Sequence, residues 1–239
     1  MTPGRAVSDG GRLFAGKRCG ATMIELFTYE TPNGQKASIM LEEVELPYVV
    51  RTVDLMKGEQ RVPDFLRISP NNKVPAIVDD DGVDGRTPIF ESGAILVYLA
   101  EKTGKLLPST GRARSDTLQW LFWAMAGVSP GVGRFASVAL FSRDPDPALV
   151  RILAEEVVRL LTVLERRLSE VEYLAGDYSI ADIGAFTWIA YVRQPITKYA
   201  TLPPVAATDR WLAAIAARPA VQKGLRVPKS ALRPPSART

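Results

Sequence analysis

The apolar residues of this chain keep two rhythms before residue 104 and only one after residue 111. In residues 23–29 Ile24, Leu26 and Tyr29 are set against Glu25 and Thr28, an alternation that predicts a strand. Thr31-Pro32-Asn33-Gly34 has turn chemistry. Residues 35–45 put Ala37, Met40, Leu41 and Val44 on one face and predict a helix. Residues 48–53 are β-rich and predict a second strand, and 54–72 a loop with one helical turn near 63–67. A short apolar run at 74–78 carries Pro75 near its start. An acidic, glycine-containing turn at 79–85 leads to a second short run at 88–90, then to Glu91-Ser92 and an apolar helix. Proline cannot donate a ladder hydrogen bond, so Pro75 belongs at the start or edge of a strand. X-Pro bonds are the ones that turn cis at modest cost, and a cis Val74-Pro75 bond is expected. Ser92 reads as an N-cap, and the helix start behind it offers N–H groups and a positive dipole end to a carboxylate.

Beyond a linker at 104–111 that holds Pro108, the pattern is helical throughout. Residues 114–127 carry Leu118, Leu121, Phe122 and Met125 at helical spacing. Residues 147–171 carry Leu149, Leu153, Val157, Leu160, Leu161, Leu164 and Leu168. Ser179-Ile180-Ala181-Asp182 is a capping box, with Asp in place of the usual Glu, opening a helix through Trp188 and Ala190; its role reads as structural. A last helix at 208–218 is stopped by Pro219. Trp120 and Trp123 read as core or dimer-contact residues. An α/β domain at 23–104 is therefore expected to precede an all-helical domain at 112–225.

Composition narrows the chemistry. The 239 residues are 46% hydrophobic, enough for a full core, and no apolar run reaches the roughly 18 residues of a membrane span. There is no histidine, which removes Ser-His-Asp and Cys-His catalysis and most zinc sites; no metal is expected. Cys19 is the single cysteine, so neither an intrachain disulfide nor a CxxC pair is possible. Any thiol chemistry must use a thiol brought from outside. The net charge of +4 is carried by the ends: residues 1–22 sum to +3 and 223–239 to +5, which leaves −4 on 23–222. No nucleic-acid surface is expected on the folded part. Residues 1–22, rich in Gly and Arg, lack the apolar stretch of a signal peptide and read as a flexible extension, with Met23 a natural start. Residues 226–239 read as a basic tail. The lack of targeting signals points to the cytoplasm.

Residues 69–99 combine strand, proline, hairpin, strand, Glu-Ser and helix in one unit. In that order they resemble the glutathione-binding half of the glutathione transferases, whose fold is a thioredoxin-like α/β domain followed by an all-α domain. Within that family the strings TPNG (31–34), KGEQ (57–60), FLRISPNNKVPAIV (65–78), FESGAILVYLAEKTG (90–104) and LQWLFW (118–123) resemble the bacterial nu class, which is itself similar to a yeast prion-forming regulator. The resemblance covers residues 23–219. It implies glutathione as co-substrate, a homodimer, and transfer to a small electrophile or reduction of a disulfide.

It also implies a role for each matching residue. Glu91 would hold the γ-glutamyl ammonium and Ser92 its carboxylate. Val74, exposed by the bond to Pro75, would pair with the cysteinyl backbone. Gln60 and Lys73 would lie near the glycine end or the peptide backbone. Thr31 and Asn33 would lie near the sulfur and act as the catalytic pair. A free thiol has a pKa of about 8.5, so a hydroxyl and an amide N–H aimed at sulfur would favour the thiolate. Taken alone, Thr31-Pro-Asn-Gly is equally a turn that ends a strand. Tyr29 is the rival activator, since other transferase classes use a tyrosine near the end of this strand. After Ser129-Pro130 the chain departs from the nu pattern, with Arg134 and Phe135 where relatives have a polar, histidine-containing stretch, so the second-substrate pocket is undefined. Arg134 or Arg151 could meet a second glutathione, or be plain surface. The competing readings are a non-catalytic binding or regulatory module and a carrier of hydrophobic ligands.

Overall fold

The structure, a computed structural model, describes residues 23–82 and 84–228. The expected extension at 1–22, Cys19, and residues 229–239 of the expected tail lie outside the described residues. β1 (Ile24–Thr28) leads through α1 (Pro32–Val44) to β2 (Tyr48–Thr52). β1 and β2 are parallel, Ile24 opposite Tyr48 and Thr28 opposite Thr52, a pairing that needs a crossover such as α1. After a single helical turn, α2 (Pro63–Leu66), β3 (Ala76–Gly82) and β4 (Gly85–Phe90) add antiparallel, for the order β2-β1-β3-β4. Pro88 lies in β4, an edge strand, where a sheet tolerates proline.

Strand alternation sends residues to two faces. Ile24, Leu26 and Ile77 pack with Ala37, Met40 and Leu41 of α1 and with Ile95, Leu96 and Leu99 of α3 (Ser92–Thr103). That core runs on without a break into the helical half. Phe27, Ala76 and Val78 form a smaller cluster with Val53, Phe65 and Val74 on the other face.

The acidic stretch expected as a turn is mostly strand, because β3 continues through Asp79 to Gly82. Asp79 is buried there, accepting from Tyr98 Oη at 2.7 Å and pairing with Lys102 Nζ at 2.9 Å. Burial pushes its carboxyl up, but these two donors outweigh burial and hold it below the usual range. β3 starts at Ala76, so Val74 and Pro75 precede the strand.

α4 (Gly111–Trp123) and α5 (Ser129–Phe135) are joined by a π-helical turn, Ala124–Val128, and a second one, Ala136–Leu140, follows. The helical run therefore extends well past the 114–127 expected. Pro130 has no N–H for the helix ladder and crowds the turn before it. The wider π turn relieves that crowding, and Ser129 Oγ donates to Ala124 O at 3.0 Å. α6 (Pro147–Glu170) and α7 (Ile180–Val192) follow. The Ser179–Asp182 capping box forms, and buried Asp182 also accepts from Leu174 N–H at 2.9 Å and Trp211 Nε1–H at 2.8 Å. Pro219 ends α8 (Ala206–Ala216) but also opens α9 (Pro219–Gly224), a helix the pattern does not predict. α9 closes on α1. Ser38 Oγ donates to Gly224 O at 2.8 Å, and a Cβ on Gly224 would sit 2.6 Å from Ile39 Cα.

Candidate functional site

A cleft of about 490 Å³ opens between the end of β1 and the helical run. Thr31, Asn33, Gln60, Lys73 and Val74 line its α/β side. Gly133, Ala136, Ser137, Phe141, Trp188 and Tyr191 line the other.

Thr31-Pro-Asn-Gly is the start of α1 rather than a free turn, so the helix begins three residues before the expected Gln35. Thr31 is its N-cap. Its Oγ1 accepts from Gly34 N–H at 3.0 Å, which leaves the hydroxyl proton for another acceptor. Pro32 takes the first helical position, where a missing N–H costs nothing. A Cβ on Gly34 would lie 2.4 Å from Tyr29 O, so only glycine allows α1 to start this close to β1. Asn33 follows in the first turn. Its Oδ1 accepts from Lys36 Nζ and from Trp188 Nε1, both at 2.9 Å.

Gln60 lies in a 3₁₀ turn, Glu59–Arg61, tied down by Glu59 Oε2 accepting from Asp54 N–H at 2.7 Å. Gln60 Oε1 is buried with no partner among the described residues, an acceptor on a residue that lines the cleft. A buried polar atom left this way calls for a ligand or water. Ser69 Oγ donates to Lys73 O at 2.9 Å and steadies the loop that carries Lys73 and Val74. The Val74-Pro75 bond is cis, as expected.

Pro75, Glu91 and Ser92 are not on the cleft wall. They lie beside it: the register pairs Ala76 with Phe90, which makes Pro75 and Glu91 the next residues outward. Glu91 has φ +71°, a conformation uncommon for a residue with a Cβ. Its Oε1 accepts from Asn71 Nδ2 at 3.1 Å. The N-cap of α3 is Glu91 and not Ser92, which is the first helical residue and caps nothing. Ser92 Oγ donates instead to Met125 Sδ at 3.7 Å. The first N–H groups of α3 have no partners within the helix, so the anion-binding end predicted for it is retained.

Tyr29 packs against the smaller core cluster and is absent from the cleft wall. Burial, then the carboxylates of Asp54 and Glu30, push its hydroxyl above the ordinary value, the wrong direction for an activator. Lys36 is a site residue that the motifs do not single out. It is fully buried, and its Nζ bridges Asn33 Oδ1 and Ser129 Oγ, the latter at 2.7 Å. Desolvation lowers its pKa to about 7, against an opposing pull from Glu91. One signal was available: a cation three residues after Asn33 on a helix. Trp188 and Tyr191, ring centroids 5.8 Å apart, carried none, because they read as ordinary apolar helix.

Two family models match the chain: Glutathione S-transferase, N-terminal domain, over residues 31–102, and Glutathione S-transferase, C-terminal domain, over residues 126–219. The chain belongs to the glutathione S-transferase family. It is 45% identical over 207 residues to the disulfide-bond oxidoreductase YfcG of Escherichia coli, covering 85% of this chain and 94% of that protein. A glutathione transferase from Burkholderia graminis, solved with two glutathione molecules per subunit, is 41% identical with TM-score 0.83, over 87% of this chain and 89% of that one. One from Pseudomonas putida, solved with one glutathione disulfide per subunit, is 38% identical with TM-score 0.82, over 89% and 94%.

The transferase cleft thus pairs its α/β wall with a helical wall that the sequence left undefined. Phe135 is core, and Arg134 is exposed and off the wall. Arg151 pairs with Glu155 at 2.7 Å on the exposed side of α6, which is the plain surface reading. Trp120 and Trp123 pack edge-on at 5.3 Å, partly buried against the core. Among the described residues no helix is long and apolar enough to cross a membrane.

Proposed function

We propose that this transferase is a nu-class, glutathione-dependent disulfide-bond reductase. One observation carries the reading. On the cleft wall, Thr31 has its hydroxyl oxygen occupied and its proton unspent, and Asn33 has its carbonyl oxygen occupied and its amide protons unspent. Two donors with their acceptor sides already used suit an anionic sulfur. Glu91 binds the γ-glutamyl ammonium, and Ser92 with the α3 N-terminus its carboxylate. Val74 pairs with the cysteinyl backbone beside Pro75, and Gln60 and Lys73 hold the peptide and glycine end.

One bound glutathione thiolate attacks a sulfur of the substrate disulfide, forms a mixed disulfide and expels a thiolate. A second glutathione thiolate attacks that mixed disulfide, giving glutathione disulfide and a second thiol. The protein supplies position and stabilises negative charge on sulfur. Two relatives solved with two glutathiones, or with glutathione disulfide, support this sequence of steps, as does the name of the Escherichia coli relative. A cytoplasmic homodimer completes the proposal; Phe122 on α4 is 64% exposed, and sedimentation tests the dimer.

The purified protein should reduce hydroxyethyl disulfide with glutathione, and Cys19→Ala should keep nearly full activity. A dead Cys19→Ala variant would refute the mechanism. A wild type that turns over neither disulfides nor electrophiles would move the protein to the non-catalytic module.

A further inference from the structure

Lys36 is unusual on physical grounds alone. A lysine is almost never fully buried unless paired, and an ammonium taken out of water carries a large desolvation cost. Among the described residues no carboxylate pairs with it. Its two partners are neutral, Asn33 Oδ1 and Ser129 Oγ, and the Ser129 hydroxyl spends its own proton on Ala124 O. Glu91, at the head of α3, is the charged group whose field favours the ammonium; α5 offers Ser129 and α7 offers Trp188, neither of which titrates.

The consequence lies in Asn33. The indole N–H can only donate, so it must meet the oxygen of the amide, and the Lys36 ammonium donates to that same oxygen. That fixes which way round the Asn33 side chain sits. Its –NH₂ group is turned away from Lys36 and Trp188 and has no acceptor among the described residues. Three elements meet at this point: α1 through Lys36, α5 through Ser129, and α7 through Trp188.

We propose that Lys36 and Trp188 are positioning residues that lock the Asn33 amide with its –NH₂ toward the glutathione sulfur, and that the Lys36 ammonium adds positive potential beneath that sulfur. This rests on the assignment of the cleft to glutathione with sulfur at Asn33. Glutathione affinity is then carried elsewhere, by Glu91, Ser92 and Gln60, while Lys36 acts on thiolate formation. Lys36→Met keeps the length and apolar stem but removes the donor and the charge.

The test is a pH titration of the bound glutathione thiol, followed by thiolate absorbance, together with steady-state kinetics. In Lys36→Met the bound thiol should titrate about one unit higher than in wild type, and kcat near neutral pH should fall about ten-fold. KM for glutathione should move much less than kcat. Trp188→Phe keeps a ring and loses only the Nε1 donor; it should shift both readouts the same way, by less. A lysine that merely holds the fold would lower the melting temperature and leave the thiol where it was. Lys36→Met with wild-type thiol titration and wild-type kcat overturns the proposal. Should Lys36→Met not fold, unchanged titration and kcat in Trp188→Phe overturn it instead. If wild type does not bind glutathione at all, the reading of the cleft fails first; wild-type binding with unaffected variants sinks only the positioning role.

Discussion

The two walls of the cleft are built by different means. The α/β wall is made of chain ends: the N-cap and first turn of α1, a 3₁₀ turn, and the segment just before β3. Its polar groups are held by capping and loop hydrogen bonds, such as Gly34 N–H to Thr31 Oγ1 and Ser69 Oγ to Lys73 O. The helical wall is made of side chains projecting from a helical run and from α7, mainly small or aromatic. Caps and loops demand particular residue types, whereas side chains on a helix face exchange freely. In the proposed reaction the first wall therefore holds glutathione and the second selects the disulfide. Lys36 is the seam, rooted in α1 and bonded beneath the cleft walls to Ser129 of α5.

That seam gives the largest expected effect. The folded pKa of Lys36 is lowered from 10.5 to about 7, so between those values the unfolded chain holds the extra proton. Stability then rises with pH across the window from about 7 to 10.5, relative to a chain without this lysine. Urea unfolding of wild type and Lys36→Met should show a gap between them that changes by on the order of 5 kcal/mol from one end of the window to the other. Lys36→Met should be the more stable at the low end. A pH-independent gap would mean that Lys36 is not buried in solution.

Next comes the γ-glutamyl end of the first wall. Ser92→Ala should weaken glutathione binding by about 1.5–3 kcal/mol, the scale of a hydrogen bond to a charged group. Calorimetry with an unchanged affinity would remove Ser92 from the site. On the same wall, Thr31→Ala and Asn33→Ala should each lower disulfide turnover by at least about ten-fold. Thr31→Ala should in addition lose about 1 kcal/mol of stability with its cap, and Thr31→Ser should recover both. Full activity in both alanine variants would return the choice to Tyr29. The smallest effect is expected across the cleft. Phe141 is 72% exposed at the wall, and Phe141→Ala should change KM for a bulky disulfide by about three-fold while leaving glutathione affinity alone, since an exposed ring contributes only part of its burial energy. An equal loss of glutathione affinity would erase the distinction between the walls.

The same contrast explains what could be read from residues alone. β1, α1, β2, β3, β4 and α3 were visible in order, because alternation, Pro75 and Glu91-Ser92 are local signals. Their ends were less so: the acidic run at 79–82 reads as a turn until Tyr98 and Lys102, distant in sequence, neutralise Asp79 inside a strand. Thr31, Asn33, Gln60, Lys73 and Val74, the residues to which the family resemblance gives roles, meet on one wall. Ser92 was placed one position off as a cap, since helix starts are decided by backbone geometry, here the positive φ of Glu91. The helical wall stayed hidden because a π turn leaves no compositional mark beyond Ser129-Pro130, and a cleft-facing Trp188 looks like any core aromatic. Lys36 stayed hidden because a lysine on a helix reads as solvated until its neighbours are known.

The most direct test of the account is a crystal structure of the protein with glutathione bound. The sulfur should lie within hydrogen-bonding distance of the Thr31 hydroxyl and the Asn33 –NH₂, the γ-glutamyl group on Glu91 and Ser92, and the peptide against Val74. A glutathione seated with its sulfur on Tyr29, or bound outside this cleft, would contradict it.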